Sequence, residues 1–152
     1  MDYLKTHSQT LLPMIDEILK MTDTEKATLD AIAVSEGPGS FTGLRIGVAT
    51  VKGLAAALEK PVIAVPTLEM LAGNFLGSKE LICPMMDARR NQVYTAVYRC
   101  EGEELVPVVA QKACALDEIL TELNGLQQPV VLLGDGVDAY KAQIQAGLTV
   151  NY

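Results

Sequence analysis

The stretch that decides the fold of this 152-residue chain is Ser35-Glu36-Gly37-Pro38-Gly39-Ser40-Phe41-Thr42-Gly43-Leu44-Arg45-Ile46-Gly47. The short apolar run at 30–34 before it predicts a buried strand, and the apolar pattern of 44–58 after it predicts a helix. Gly37 and Pro38 interrupt the strand, so a glycine-rich turn separates the two elements. The order strand, turn and helix indicates an α/β protein.

Strands and helices alternate on both sides of this turn. Residues 8–21 place apolar side chains at every third or fourth position, which predicts an amphipathic helix. Ser8 or Thr10 is expected to cap it, with Pro13 tolerated near the first turn. Asp87 to Asn91 predicts a hairpin turn, and Gly134 to Gly136 predicts a second glycine turn. The other predicted strands are 62–65, 81–86, 92–99, 104–110 and 130–133, and the other predicted helices are 66–75, 116–123 and 137–145.

The charge balance argues against direct binding of nucleic acid. Lys and Arg number 12 against 19 Asp and Glu, and the formal net charge is −7. Binding to a phosphate backbone depends on cations that release counterions, so an acidic chain is poorly suited to it. Aromatic residues make up only 5% of the chain, which also argues against a platform for stacking bases.

Cysteine usage and the termini predict a cytoplasmic protein. The three cysteines, Cys83, Cys100 and Cys114, form no CxxC pair, and an odd count is typical of a reducing compartment. Residues 1–5 contain no apolar leader core. The most apolar stretch, 46–58, contains Lys52 and is too short to span a bilayer, so no membrane segment is expected.

The glycine turn fits none of the common phosphate or nucleophile motifs. No glycine is followed by Lys and a hydroxyl, and Gly43 comes one position too late for the dinucleotide pattern. Pro38 occupies the position where a nucleophile elbow requires glycine. A tight turn with a capped helix is the favoured interpretation, and a generic anion site stays open. The candidate cofactor-binding residues are Gly37, Gly39, Ser40, Gly134, Asp135 and Gly136.

The helix after the turn is unusual because it contains interior glycines. Gly47 and Gly53 each cost about 1 kcal/mol of helix stability relative to Ala. Close packing of another backbone is the usual compensation for such a cost. Two interpretations remain open: a helix that is covered on most sides within its own domain, or a helix shared with a partner subunit.

Catalytic groups are sparse. His7 is the only histidine, so neither a zinc cluster nor a hydrolase triad is recognisable. Asp87 ends an apolar strand beside two arginines, and hairpin turn chemistry is its expected role. We therefore expect no catalytic residue, no metal and no cofactor.

Residues 35–55 resemble the signature of the TsaB (YeaZ) family, within the glycoprotease-like group that also contains TsaD. Residues 7–13, 87–94 and 134–136 agree with the same family in order and spacing. The resemblance implies an α/β fold of the actin/Hsp70-like ATPase (ASKHA) type, with mixed sheets flanked by helices and truncated at both ends. It implies an N-terminal subdomain at 1–78 and the start of a C-terminal subdomain at 79–152.

The same resemblance implies a function. TsaB-like proteins are non-catalytic partners of a TsaD-like catalytic subunit, which joins a TsaE-like ATPase to transfer a threonylcarbamoyl group to the tRNA adenosine beside the anticodon. The pairing surface is built from the first two helices. The partner-interface residues that this implies are Leu11, Leu12, Ile15, Leu19, Gly43, Arg45, Ile46, Gly47, Thr50 and Leu54.

Departures and alternatives accompany this interpretation. Glu36 stands where the family has a small or apolar residue, and Asn91 replaces a common Gly. A homodimer through the same helices is possible. A nucleotide-binding regulatory module is an alternative, and a stand-alone glycoprotease-type peptidase is a less favoured one.

Overall fold

The computed structural model describes residues 7–152, with side chains from Gln9 onward. The absence of an apolar leader, expected from residues 1–5, concerns positions outside this range. The described residues form two compact units, which divide between Pro66 and Thr67. We call them the first unit and the second unit.

The first unit contains two helices and a two-stranded sheet. In chain order these are α1 (His7–Met21), β1 (Ile32–Gly37), α2 (Phe41–Leu58) and β2 (Val62–Pro66). The two strands are parallel, as expected for strands joined by a helical crossover. The predicted helices and strands of this unit are therefore confirmed, with shifted ends.

The shifted ends have local causes. α2 begins three residues before the predicted Leu44, because the Ser40 hydroxyl accepts a hydrogen bond from the Gly43 N–H at 3.3 Å and caps the helix. In α1, Thr10 lies inside the helix, as Ser8 does, so the capping prediction is wrong. Pro13 also lies in the helix interior, where its ring removes one backbone hydrogen bond.

The second unit is built on a four-stranded mixed sheet. Its strands are β3 (Leu81–Arg89), β4 (Gln92–Glu101), β5 (Glu104–Ala115) and β6 (Val130–Leu133), in the order β5-β4-β3-β6. β3 runs antiparallel to β4 and parallel to β6. The predicted hairpin is confirmed, and β5 is five residues longer than predicted. The helices of this unit are α3 (Thr67–Ala72), α4 (Leu116–Leu126), α5 (Asp135–Ala139) and α6 (Lys141–Gly147).

Both faces of this sheet are covered. Successive side chains of a strand point to opposite faces. Leu81 and Met85 accordingly belong to one core cluster, with α4 and α6, whereas Ile82 belongs to another, with α3. Leu68 and Ala72 of α3 are fully buried in that second cluster. The structure therefore groups 67–78 with the second unit, although the resemblance assigned it to the N-terminal subdomain.

Two local predictions in the second unit are wrong. Asp135 and Gly136 do not form a turn but begin α5. The predicted helix 137–145 is divided at Tyr140, which is buried and donates a hydrogen bond to Asp87 Oδ1 at 2.8 Å.

Candidate protein-interaction surface

An apolar groove runs between α1, β1 and α2 in the first unit. Its volume is about 660 Å³, and its lining is almost entirely aliphatic. Four predicted interface residues of α1 and two of α2 meet there. They are Leu11, Leu12, Ile15, Leu19, Gly47 and Leu54.

An ion-pair cluster borders this groove. Asp16 of α1 accepts hydrogen bonds from the ammonium groups of Lys20 at 2.7 Å and Lys26 at 2.6 Å. These two cations lower the pKa of Asp16 to about 2. Because Lys26 follows α1 in the chain, the cluster ties the helix to the segment that leads into β1.

Of the two interpretations of α2, the described residues argue against the one in which its own domain covers the helix on most sides. Of residues 9–66, only Val51 and Ala55 are buried hydrophobic side chains, and both lie on α2. A Cβ added at Gly47 or Gly53 would have no atom within 4 Å. These glycines therefore receive no close packing from the residues that the structure describes.

The other predicted interface residues lie outside the groove. At about 3.6 residues per turn, Gly43, Ile46, Thr50 and Gly53 follow one another along a face of α2 that points away from Ala55. We call these four residues, of which all but Ile46 are small, the small-residue face. Arg45 is exposed and lies over the ring of Phe41, with its guanidinium carbon 5.3 Å from the ring centroid. Phe41 itself is 74% exposed.

α2 also meets a simple membrane criterion. By length and composition alone, it is the one helix of residues 7–152 that could span a bilayer, with 18 residues and a mean hydropathy of 1.3. The stretch 46–58, which was expected to be too short, is only part of this helix, and one helix of this kind is weak evidence for a membrane span. Arg45 and Lys52 lie inside it, and each cation would cost about 2.5–3.5 kcal/mol near a bilayer centre.

The first glycine turn is shaped by packing within the first unit. Gly37 has a φ of +115°, and a Cβ there would lie 3.2 Å from Leu44 Cδ1. Gly39 also contacts Leu44. An apolar side chain therefore occupies the inside of this turn, while Ser40 caps α2. This arrangement agrees with the favoured interpretation of a tight turn before a capped helix.

The segment Gly134 to Gly136, which leads from β6 into α5, is shaped by packing within the second unit. A Cβ on Gly134, whose φ is +100°, would lie 2.3 Å from the carbonyl oxygen of Met85. A Cβ on Gly136 would lie 3.0 Å from the carbonyl carbon and oxygen of Met85. Asp135 Oδ1 accepts a hydrogen bond from the Asp87 N–H at 3.3 Å. These glycines are thus required by the close approach of β3, and the two glycine-containing segments lie in different units.

Asp87 organises the β3–β4 hairpin. Its Oδ1 accepts hydrogen bonds of 2.8 Å from the Arg89 N–H and from the Tyr140 hydroxyl. These two donors hold the pKa of Asp87 below its usual value. The network supports a turn in which Arg89, Arg90 and Asn91 all have positive φ. Turn chemistry predicted this role, whereas nothing in the sequence indicated Tyr140, which lies 53 positions away.

The described residues form no cluster of metal-binding side chains. Within residues 7–152, no three His, Cys, Asp or Glu side chains are arranged to hold a metal ion. Burial raises the pKa of the Cys83 thiol to about 12, so this group is a poor nucleophile at neutral pH. The side chain of His7 lies outside the described set.

Comparison with known proteins defines the class. Residues 3–149 match the family described as "TsaD: tRNA N6-adenosine threonylcarbamoyltransferase", and the chain belongs to this family. The match agrees with the mixed α/β architecture and with an actin-like ATPase type of fold.

Within this family, the chain is similar to TsaB proteins. It is 39% identical over 141 residues to the "tRNA threonylcarbamoyladenosine biosynthesis protein TsaB" of Bacillus subtilis, covering 93% of this chain and 62% of the relative. The protein of the same name from Escherichia coli K12 is 33% identical over 139 residues, covering 90% of this chain and 60% of the relative. The chain therefore spans about three fifths of the length of these relatives.

Solved structures agree with this placement. The crystal structure of an uncharacterized Pseudomonas aeruginosa protein "with similarity to peptidase YEAZ" has a TM-score of 0.81 at 29% identity, covering 97% of this chain and 70% of that chain. The structure of YeaZ from Pseudomonas aeruginosa has a TM-score of 0.79 at 30% identity, covering 91% of this chain and 65% of that one.

Proposed function

We propose that this chain acts in tRNA threonylcarbamoyladenosine biosynthesis as a non-catalytic partner subunit. It pairs with a TsaD-like catalytic subunit through α1 and α2, and a TsaE-like ATPase joins through that subunit. The observation that carries the proposal is the open surface of α2, where a Cβ added to either interior glycine would meet no atom within 4 Å. Interior glycines lower helix stability, so a partner that packs closely against them explains their presence.

Two further observations support this proposal. The relatives from Bacillus subtilis and Escherichia coli carry names that assign them to the same biosynthesis. The exposed apolar side chains of α1 belong to the surface proposed to bind the partner: Leu12 is 50% exposed, Met14 56% and Ile18 57%. Large exposed apolar patches mark interaction sites in soluble proteins.

The proposal also covers the setting of the protein. We infer a cytoplasmic protein that does not enter the membrane, because the two cations inside α2 favour a protein partner over lipid. We infer that this chain has no catalytic residue and no cofactor of its own. We also infer no direct contact with nucleic acid, because tRNA would be bound by the partner complex.

The test is complex formation with the TsaD-like subunit of the same genome, measured by size-exclusion chromatography with light scattering. Gly53→Leu places a bulky side chain on the small-residue face. Gly125→Leu is the matched control, since Gly125 is also an exposed helical glycine with nothing within 4 Å of its added Cβ, but lies on α4 of the second unit. Circular dichroism verifies that both variants are folded.

We expect a defined heterodimer for the wild type and for Gly125→Leu, and none for Gly53→Leu. A homodimer of the chain alone that Gly53→Leu dissociates would assign the same surface to self-pairing, and the TsaD-like subunit should then displace it. A wild-type chain that stays separate from the TsaD-like subunit would overturn the proposal.

A further inference from the structure

The two buried core clusters of the described residues lie entirely within the second unit. Their buried members run from Leu68 to Leu148 and lie on both faces of the four-stranded sheet. Ile82 is fully buried and Leu123 is 1% exposed. Removal of apolar surface from water is the main favourable contribution to folding, so the second unit has a source of stability of its own.

The first unit buries much less apolar surface. Its sheet has two strands, and a two-stranded sheet depends on packing against other elements. Val62 and Ile63 are neighbours in β2 and are 43% and 52% exposed, although successive side chains of a strand point to opposite faces. The aliphatic groove of about 660 Å³ runs between α1, β1 and α2. Apolar surface that stays in contact with water adds no stability, so these elements stabilise one another weakly.

The elements of the first unit also depend on one another. β1 pairs with β2 through a parallel ladder, and α2 packs against both β1 and α1. The buried Val51 and Ala55 both lie on α2. Loss of one element therefore removes the support of the others, which predicts that they open together.

From this contrast we propose that the first unit opens as a separate cooperative element while the second unit stays folded, and that the TsaD-like subunit closes it by binding. The second part rests on the function proposed above. Proteins open locally in contiguous units with different free energies, and the least buried unit opens most often. α1 and α2 form one surface only when they are packed together, so a partner that binds this surface selects the closed form.

This coupling is a conformational device built into the chain. The partner shifts the equilibrium of the first unit towards the closed form by mass action, without a change in the second unit. Proteolysis of a transiently opened segment follows the population of the open form. An unpaired chain therefore exposes α2 to proteases more often than a paired chain.

The first test is hydrogen–deuterium exchange of the free chain at increasing urea concentrations. We expect amides of α2, including those of Val51 and Ala55, to exchange at least about tenfold faster than amides of β3 and β4. As urea rises, amides of β1, α2 and β2 should converge on one urea dependence, because they become exposed in one opening. Convergence of both units on a single free energy would overturn the inference, as would first-unit amides that open independently of one another.

A stabilising variant checks that the opening is confined to the first unit. Gly47→Ala adds a methyl group that meets no atom within 4 Å, and Ala favours the helix over Gly. Exchange should slow by about fivefold in α2, β1 and β2 together and stay unchanged in β3 and β4. Gly125→Ala, at an equally open glycine of α4, is the matched control and should leave the first unit unchanged. Equal slowing of both units by Gly47→Ala would contradict separate opening.

The second test measures exchange of β2 in the presence of the TsaD-like subunit. β2 contributes no residue to the groove or to the small-residue face, so direct cover by the partner does not protect its amides. At a free partner concentration about ten times the Kd, closure predicts about tenfold slower exchange of β2 together with α2.

The outcomes separate the two proposals. If the complex forms but only α1 and α2 slow, the partner covers the surface without closing the first unit, and the inference is wrong while the proposed function stands. Absence of any complex contradicts the proposed function, and the urea experiment on the free chain still decides whether the first unit opens separately.

Discussion

The two units of this chain differ in how far their apolar side chains are buried. The second unit has a buried cluster on each face of its sheet, including fully buried Ile82 and Leu123. In the described part of the first unit, only Val51 and Ala55 are buried hydrophobic side chains. The second unit thus buries a core of its own, whereas the first unit presents apolar surface that a partner can cover.

The glycines of the two units differ in the same way. Gly134 and Gly136 are held against the backbone of Met85, so the second unit itself requires them. Gly47 and Gly53 have open space where a side chain would lie. The comparison shows why a glycine found in a sequence pattern needs the structure for its interpretation.

The largest expected effect is that of Gly134→Ala in the second unit. The added methyl group would meet the Met85 carbonyl oxygen at 2.3 Å, and φ is +100°. Backbone strain and steric overlap together are expected to cost about 4 kcal/mol of unfolding free energy. Urea unfolding measures this change, and a loss below about 1 kcal/mol would show that the turn yields to the methyl group.

Truncating a leucine to alanine should cost more stability in the second unit than in the first. Leu123→Ala removes a fully buried side chain of α4 and should cost about 3 kcal/mol. Leu12→Ala makes the same change on α1 at a position that is 50% exposed, and should cost less than about 1 kcal/mol. Equal losses in urea unfolding would contradict the contrast between the units.

Gly53→Ala should raise the free energy of unfolding, whereas the preceding variants lower it. Its methyl group meets no atom within 4 Å, and replacing an interior helical glycine by Ala is expected to stabilise the isolated chain by about 1 kcal/mol. The same variant should bind the TsaD-like subunit more weakly, because the methyl group separates two closely packed helices. Unfolding and binding measured on one sample would then change in opposite directions, and tighter binding would argue against close packing at Gly53.

The smallest expected effect is the dependence of the first unit's thermal stability on pH. The pKa of Asp16 is about 2 in the folded chain, below its ordinary value of 3.8. Stabilisation by the ionised carboxylate is therefore complete above about pH 5 and is lost as the pH falls through 4 towards 2. Asp16→Asn should lack this acid-dependent component of thermal stability, whereas Glu17→Gln, which changes a neighbouring carboxyl of α1, should retain it. If the thermal stabilities of wild type and Asp16→Asn fall identically with pH, the ion pairs of Asp16 do not stabilise the chain.

Local patterns predicted most of the fold. The strand–turn–helix order around Gly37, the hairpin at Asp87 and the strand 130–133 depend on apolar periodicity and turn residues, which act over short distances. The start of α2 was misplaced because a single serine hydroxyl, that of Ser40, extends the helix by three residues at its N-terminus. The bond between Tyr140 and Asp87 and the contact of Gly134 with Met85 join distant parts of the chain, so no local pattern could reveal them.

The candidate site was less accessible to sequence reasoning. The apolar pattern predicted the helices α1 and α2, and the family resemblance supplied the interface residues. Two interpretations of α2 stayed open, because burial depends on what packs against a helix. The structure separates residues that line the groove, such as Leu54, from those on the small-residue face, such as Thr50.

Hydrogen–deuterium exchange of this chain, with and without the TsaD-like subunit, tests the central claim most directly. We predict slower exchange on binding for amides of α1 and α2, with the largest change around Gly53, and no comparable change for α4. Binding that protects the second unit and leaves residues 41–58 unchanged would contradict the account.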